Sequence, residues 1–311
     1  MSLNVPTIDI SGLPDDPVAR DEIARACEAW GFFQIVGHGI DETATSAFLD
    51  ATRTFFHLPL DERLAVRRDA ENPMGFYDEE LTKNTRDWKQ VYDFGIDLGD
   101  AGVAHPSRWP DVDGFRDIMT GWYRRCEAIS MTLLDAIEQS LDVAPGSIAD
   151  SFRTRHTSFL RLNYYPVCDD PAPADSGTEI THGSLGVNRH TDAGALTVLV
   201  QDDVPALQVN KDNQWHTIVP EPGGMIINIG DMMQVWSNDR FQAPEHRVIA
   251  NASRERFSAP FFLNPDYRTD CVPLTTPARY RPVNWGHFRD ERASGDYADY
   301  GEEIQISQFR L

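Results

Sequence analysis

A mainly β fold with flanking helices, preceded by a helical N-terminal region, is what this 311-residue sequence predicts. Two observations carry that prediction. From Ser158 onward the chain breaks into short runs rich in β-branched and aliphatic residues, separated by turn-forming Asp, Asn, Pro and Gly, the pattern of a sandwich or barrel. Before that point, apolar residues recur at helical spacing over several longer stretches. No repeat of solenoid length and no low-complexity segment interrupts either part.

Taken in order, residues 17–29 and 42–57 show helical periodicity, and Leu58-Pro59-Leu60-Asp61 reads as a break with a fresh helix start. A polar loop around Asn72-Pro73-Met74-Gly75-Phe76-Tyr77 follows, and residues 87–95 then alternate as a strand does. Residues 115–141 carry a long helical pattern, with Ile118, Trp122, Ile129, Leu133, Ala136 and Ile137 on or near one stripe, suited to bracing a sheet. Residues 196–201, 207–209, 215–219 and 225–229 are β-rich runs, broken by turn segments at 202–205, 210–213 and 220–224. The polar, Pro- and Gly-containing segment from Asp169 to Gly183 is a lid candidate.

This length can bury a large core, and it divides into residues 1–150, a helical region with a few strands, packed on a core of residues 151–311. No apolar run approaches the ~20 residues that span a bilayer, and Met1-Ser2-Leu3-Asn4-Val5 lacks the basic and apolar start of a secretory signal, so a cytoplasmic location is expected. Cys27, Cys126, Cys168 and Cys271 are widely spaced, without a C-x-x-C pair, and read as ordinary thiols rather than a disulfide framework or structural zinc site. A net charge of -21 argues against nucleic acid or an anionic membrane as partner, and the short basic patch from Arg63 to Arg68 reads as a solvated face. Nothing points to an obligate protein partner.

The chemistry concentrates in His190-Thr191-Asp192, answered downstream by His246 and then by Arg256-Phe257-Ser258. Along a strand, residues i and i+2 point the same way, so His190 and Asp192 can ligate one ion while Thr191 points away. His246 opens a short run ending in β-branched residues, Val248 and Ile249, and a neighbouring strand can bring it alongside. Two imidazoles and one carboxylate form the facial set that holds non-haem Fe(II) and leaves open positions. A lone His-x-Asp is weak, since one such tripeptide is expected by chance in a chain this acidic. The weight comes from Arg256 and Ser258, which share a face by the same alternation and offer a fork and a hydroxyl to a carboxylate. A zinc hydrolase explains three metal ligands but not that arm.

With these residues, the chain resembles the isopenicillin N synthase-like branch of the 2-oxoglutarate and Fe(II)-dependent dioxygenases. The resemblance spans nearly the whole length: Val5-Pro6-Thr7-Ile8-Asp9 and Trp30-Gly31-Phe32-Phe33-Gln34-Ile35-Val36-Gly37-His38-Gly39-Ile40 near the start, then Arg161-Leu162-Asn163-Tyr164-Tyr165-Pro166 and Pro260-Phe261-Phe262-Leu263-Asn264-Pro265. It implies a distorted double-stranded β-helix, or jelly roll, with iron at its mouth. By the same resemblance His190, Asp192 and His246 match the metal ligands, and Arg256 and Ser258 match the pair on the distal carboxylate of 2-oxoglutarate. Asn163 and Tyr165 match polar groups completing that pocket.

The implied reaction couples decarboxylation of 2-oxoglutarate, with O2, to hydroxylation, desaturation or ring closure of a small organic molecule. Some relatives of the same fold are oxidases that use no 2-oxo acid, and there the matching Arg and Ser bind the substrate's own carboxylate. A non-catalytic metal-binding sensor is the remaining alternative. By analogy, Phe76, Tyr77, Val91, Tyr92, Leu199 and Phe262 are candidates to line the substrate pocket, and the tail from Tyr297 to Ile306 to pack over the mouth. His38 reads as structural, His182 as a solvent-facing loop residue, and Met232, Met233 and Trp236 as core filling. Asn228-Ile229-Gly230-Asp231 reads as a turn in which Gly permits backbone geometry other residues resist.

Overall fold

The computed structural model describes residues 5–69, 71–96, 105–153, 155–295 and 303–311. The N-terminal region supplies β1 (Thr7–Asp9), α1 (Pro17–Ala29), β2 (Phe32–Val36), α2 (Glu42–Phe56) and α3 (Leu60–Leu64). Three short strands follow, β3 (Gly75–Tyr77), β4 (Leu81–Thr82) and β5 (Thr85–Arg86), then β6 (Gln90–Phe94), α4 (Phe115–Ser140) and α5 (Asp150–Arg153). Local chemistry starts the helices: the Asp16 carboxylate caps α1 at the amides of Val18 and Ala19 with Pro17 at its first position, and Asp41 caps α2 at Ala44.

The second half runs β7 (Phe159–Tyr165), β8 (Leu185–His190), β9 (Leu196–Gln201), β10 (Leu207–Lys211), β11 (Gln214–Thr217), β12 (Met225–Ile229), α6 (Asp231–Trp236), β13 (His246–Ile249) and β14 (Arg256–Leu263). It ends with β15 (Asp270–Cys271), β16 (Val283–Asn284) and α7 (Trp285–Ser294). An eight-stranded sheet, ordered β1-β2-β12-β9-β14-β7-β6-β3, faces a four-stranded sheet, β11-β10-β13-β8. This is the expected jelly roll. The N-terminal region does more than pack on it, because β1 and β2 extend one edge of the large sheet and β6 and β3 the other.

Alternation gives the large sheet two unlike faces. On one face Leu160, Leu162, Leu196, Val198, Val200, Phe257, Ala259 and Phe261 join a core with α1, α2 and α4, where Trp122 of α4 stacks on Phe48 at 4.4 Å. On the other, toward the small sheet, a smaller apolar cluster of Phe32, Tyr165, Leu199, Ile226, Val187, Leu207 and Val248 leaves room for polar residues. The long helix buries Phe115, Met119, Trp122, Tyr123 and Cys126, but Ile118, expected on that stripe, is 37% exposed, since the buried face is centred one position later. The segment read as a loop at 72–77 contains β3, which pairs with β6. Among the described residues, no helix is long and apolar enough to cross a membrane.

The lid expectation for Asp169–Gly183 is not what the structure shows. Arg247 and Gln208 project from the outer face of the small sheet, and their side chains donate to the carbonyls of Ser176, Gly177 and Ala174 at 2.7–2.8 Å. The segment is thus fastened to the back of that sheet. His38 is structural, its Nε2 2.9 Å from Gly223 O, and His182 is exposed. Met232, Met233 and Trp236 are buried in the helix-side core.

Gly230 is required for a reason other than the expected one. Its backbone is extended, φ -103°, which any residue can adopt, but a Cβ there would fall 2.2 Å from Gly194 O. This closeness lets Gly230 N and Asp231 N donate to Ala195 O and Asp192 O, at 3.0 and 2.7 Å. Gly230→Ala is therefore expected to cost about 1–3 kcal/mol in urea unfolding and to weaken divalent metal binding by displacing the Asp192 loop.

Candidate metal centre and its two chambers

The β8 and β13 strands pair antiparallel with His190 directly opposite His246. Opposed residues project to one face, and the imidazole centroids stand 4.2 Å apart. Asp192 lies two residues beyond, just past the end of β8, with Oδ1 3.6 Å from Nε2 of each histidine. Ligand atoms of all three lie within 4.8 Å of one another.

Each ligand is oriented through its other polar atom. Nδ1 of His190 lies 2.8 Å from Asn188 O, and Nδ1 of His246 lies 3.1 Å from Pro244 O. A carbonyl can only accept, so Nδ1 carries the hydrogen and Nε2 keeps its lone pair for an ion. Asp192 Oδ2 accepts from Asn228 Nδ2 at 2.7 Å and from Thr197 Oγ1, which leaves Oδ1 available. Burial and the adjacent His246 lower His190 to about 3, so it stays neutral. Burial alone would raise Asp192, but the two imidazoles and the Asn228 and Thr197 bonds hold its carboxyl below its ordinary value. Two imidazoles that present Nε2 and a carboxylate that presents Oδ1 are the donors a divalent ion needs, and this set fits Fe(II).

Behind the triad lies an inner chamber of about 80 Å³, lined by Asn163, Tyr165, Arg256 and Ser258 as well as by the three ligands. Register explains the grouping: Arg256 is opposite Tyr165, and Ser258 opposite Asn163, across β14 and β7. The Arg256 guanidinium lies 4.9 Å over the Tyr165 ring, donates to Ser258 Oγ at 3.3 Å and is held by Gln201 Oε1 and Val204 O. The Asn163 amide donates to Ser258 Oγ at 3.4 Å, while its Oδ1 is buried with no partner. Either amide orientation leaves one polar atom of Asn163 for a ligand.

An outer chamber of about 210 Å³ opens on the other side of His190 and Asp192. Phe262 lines both chambers and Leu199 the inner one. The other candidates for substrate lining do not. Phe76 and Tyr92 are register partners on the helix side, where Tyr92 packs on Phe55, Phe94 and Phe115, so both are core residues. Val91 shares the inward face with Lys89 and Asp93 yet lines neither chamber, and Tyr77 lies under Arg68, 4.3 Å away. Residues 297–302 of the tail lie outside the described residues; beyond them, Glu303 lines the outer chamber and accepts from Lys83 N at 2.7 Å.

The sequence reading missed the clamp on Asp192 made by Thr197 and Asn228, although both sit at inward positions of their strands. It also missed a buried ion cluster in the outer wall. Arg161 contacts Asp93 and Glu80, Arg68 contacts the same two carboxylates, and Lys89 contacts Glu80 and Asp87, all within 2.8–3.1 Å. Arg161 shares the inward face with Asn163 by period two, a signal left unused, whereas the carboxylates come from distant positions. Burial by itself would raise Glu80, but Arg161, Lys89 and Arg68 hold it well below its ordinary 4.5. A depressed carboxylate adds stability that is fully present above 4.5 and is lost as pH falls below it.

Two outcomes follow from these contacts. Asn228→Ala is expected to weaken Fe(II) or Co(II) binding about 10- to 100-fold in direct titration while the fold persists. Glu80→Gln should cost roughly 3–5 kcal/mol in urea unfolding at neutral pH, with the gap to the unaltered protein narrowing as pH falls below the ordinary glutamate range.

Comparison with known proteins agrees with this geometry. Residues 156–265 match the family model for the 2OG-Fe(II) oxygenase superfamily, and residues 5–112 match that for the N-terminal region of non-haem dioxygenases in morphine synthesis. The chain is 33% identical over 298 residues to gibberellin 20 oxidase 2 of Oryza sativa, covering 92% of this chain and 73% of that protein. It is 30% identical to jasmonate-induced oxygenase 4 of Arabidopsis thaliana, covering 92% and 81%. Among solved structures, JOX2 in complex with 2OG, Fe and JA superposes with a TM-score of 0.84 at 29% identity, covering 100% of this chain and 90% of that one. Neurospora crassa T7H with alpha-KG and thymine gives 0.79 at 25% identity, covering 93% and 96%. Sequence, fold and the His190, Asp192 and His246 triad agree, and the chain belongs to the 2OG-Fe(II) oxygenase superfamily.

Proposed function

We propose that the inner chamber holds 2-oxoglutarate and the outer chamber a small organic substrate, with hydroxylation as the outcome. The carrying observation is Arg256: a buried guanidinium, 1% exposed, aimed with Ser258 into a chamber that also contains the metal ligands. Arg256 and Ser258 would grip the far carboxylate, and Asn163 and Tyr165 would meet the remaining polar groups. Bound iron, with O2, supplies the C–H oxidation, and loss of CO2 from 2-oxoglutarate to give succinate supplies the electrons. The chain's own residues orient the ligands, exclude water and select the C–H bond.

The substrate assignment is supported by the size of the outer chamber and by similarity to relatives that hold small molecules beside 2OG or alpha-KG. A net charge of -21 supports the reading that neither nucleic acid nor an anionic membrane is a partner. The four cysteines, all free and buried, support a reducing compartment and hence the cytoplasm.

The test is anaerobic titration of the Fe(II)-loaded protein with 2-oxoglutarate, following visible charge-transfer absorption. A saturating band is expected, and Arg256→Ala should weaken 2-oxoglutarate by about 2–5 kcal/mol, roughly 30-fold or more. Iron binding without a band would overturn the assignment and point to an oxidase that uses no 2-oxo acid.

A further inference from the structure

Among the described residues, six cations line the two chambers: Arg68, Lys89, Arg161, Arg256, Arg289 and Arg292. Four of them have carboxylates at ion-pair distance. Arg68 and Arg161 share Glu80 and Asp93, Lys89 has Glu80 and Asp87, and Arg292 has Asp231 at 3.4 Å. Two cations have no such partner among the described residues. Arg256 is one, and 2-oxoglutarate supplies its anion in the reading above.

Arg289, on α7, is the other. Its Nη1 makes one long bond, 3.4 Å, to Thr157 O, and its guanidinium carbon lies 5.7 Å over the Phe159 ring. The adjacent Asp290 does not reach it and instead accepts a hydrogen bond from the Tyr267 hydroxyl. Burial lowers the Arg289 pKa, opposed by the more distant Asp290, Tyr267 and Asp93. Arg289 is half-buried and a guanidinium stays charged, so the desolvation of its buried part is offset by an anion or remains a standing cost. The same wall offsets that cost for Arg68, Lys89, Arg161 and Arg292, which makes the exception at Arg289 informative.

The shape of the chamber narrows the anion. One unmatched positive charge suits a single negative charge, and a dianionic phosphate would also face Glu80 and Asp93 on the same wall. Two rings of the chamber wall link Arg289 to the chamber shared with the metal ligands: Phe262 lines both chambers, its ring lies 4.9 Å from Phe159, and Phe159 underlies Arg289. Resting on the two-chamber reading above, we infer that the substrate is a small monocarboxylic acid. Its carboxylate sits on Arg289, its apolar body lies along Phe159 and Phe262, and the C–H bond presented to iron is remote from the acid group.

The test uses the full chain loaded with Fe(II) and 2-oxoglutarate under anaerobic conditions. It is titrated with aryl- and cycloalkyl-alkanoic acids of graded length and with the primary amide of each. Binding is read from perturbation of the iron and 2-oxoglutarate absorption band and from the thermal midpoint. At least one acid should bind about tenfold or more tightly than its amide. Arg289→Gln should remove that preference, with 2-oxoglutarate affinity and amide affinity retained, and Arg289→Lys should restore part of it. Acids and amides binding alike, no acid binding, or a preference that survives Arg289→Gln would overturn the inference. Absence of a 2-oxoglutarate band in the unaltered protein overturns the two-chamber reading as well, whereas a normal band without acid preference overturns this inference alone.

Discussion

A sheet with two unlike faces is the constraint on which the site depends. The helix side of the large sheet is filled by apolar residues packed on α1, α2 and α4. Alternation then delivers every second residue to the inner side, where Arg161, Asn163, Tyr165, Thr197, Arg256 and Ser258 face the small sheet. Several chamber residues are flanked on both sides by buried core residues, as Ser258 is by Phe257 and Ala259, and Arg161 by Leu160 and Leu162. A wall residue therefore cannot shift without disturbing the packed side of the sheet, which is how polar groups are held in position without a mobile scaffold.

The electrostatics of the interior differ from those of the molecule as a whole. The chain carries a net charge of -21, yet the chambers contain arginines and a lysine whose charges are matched locally by Glu80, Asp87, Asp93 and Asp231. Burying ions is costly, and the wall offsets that cost residue by residue rather than through the overall field. In the proposed reading the two unmatched arginines, Arg256 and Arg289, are those that take ligand charge. In this arrangement recognition of an anion in the interior does not require a basic surface.

Much of this was legible in the sequence because it rests on period two within single strands. His190 with Asp192, just past the end of β8, and Arg256 with Ser258 are i, i+2 pairs; Asn163 and Tyr165 came from the family resemblance, and strand register sets them opposite Ser258 and Arg256. Period two says which residues share a face but not which face is inward. Phe76 and Tyr92, expected by analogy to line the substrate pocket, lie opposite one another on the helix side. Residues brought in by tertiary packing left no local signal: Glu80 follows a short strand, and Arg289 arrives on a helix a hundred residues beyond the triad's first ligand. Gly230 was noticed for its residue type, but its reason is the carbonyl of Gly194 across the gap, visible only in three dimensions.

His190 and His246 are cross-strand partners drawn from positions 56 residues apart in sequence. An ion bound between them would act as a rivet, closing a long loop and fixing the pairing of β8 with β13, where the ladder is irregular just beyond His246. A slip of one residue would turn the second imidazole to the back of the sheet, where Arg247 now fastens the Asp169–Gly183 segment. A bound ion would thus couple metal occupancy to the β8–β13 pairing, while the β10–β13 ladder holds the other side of the same strand.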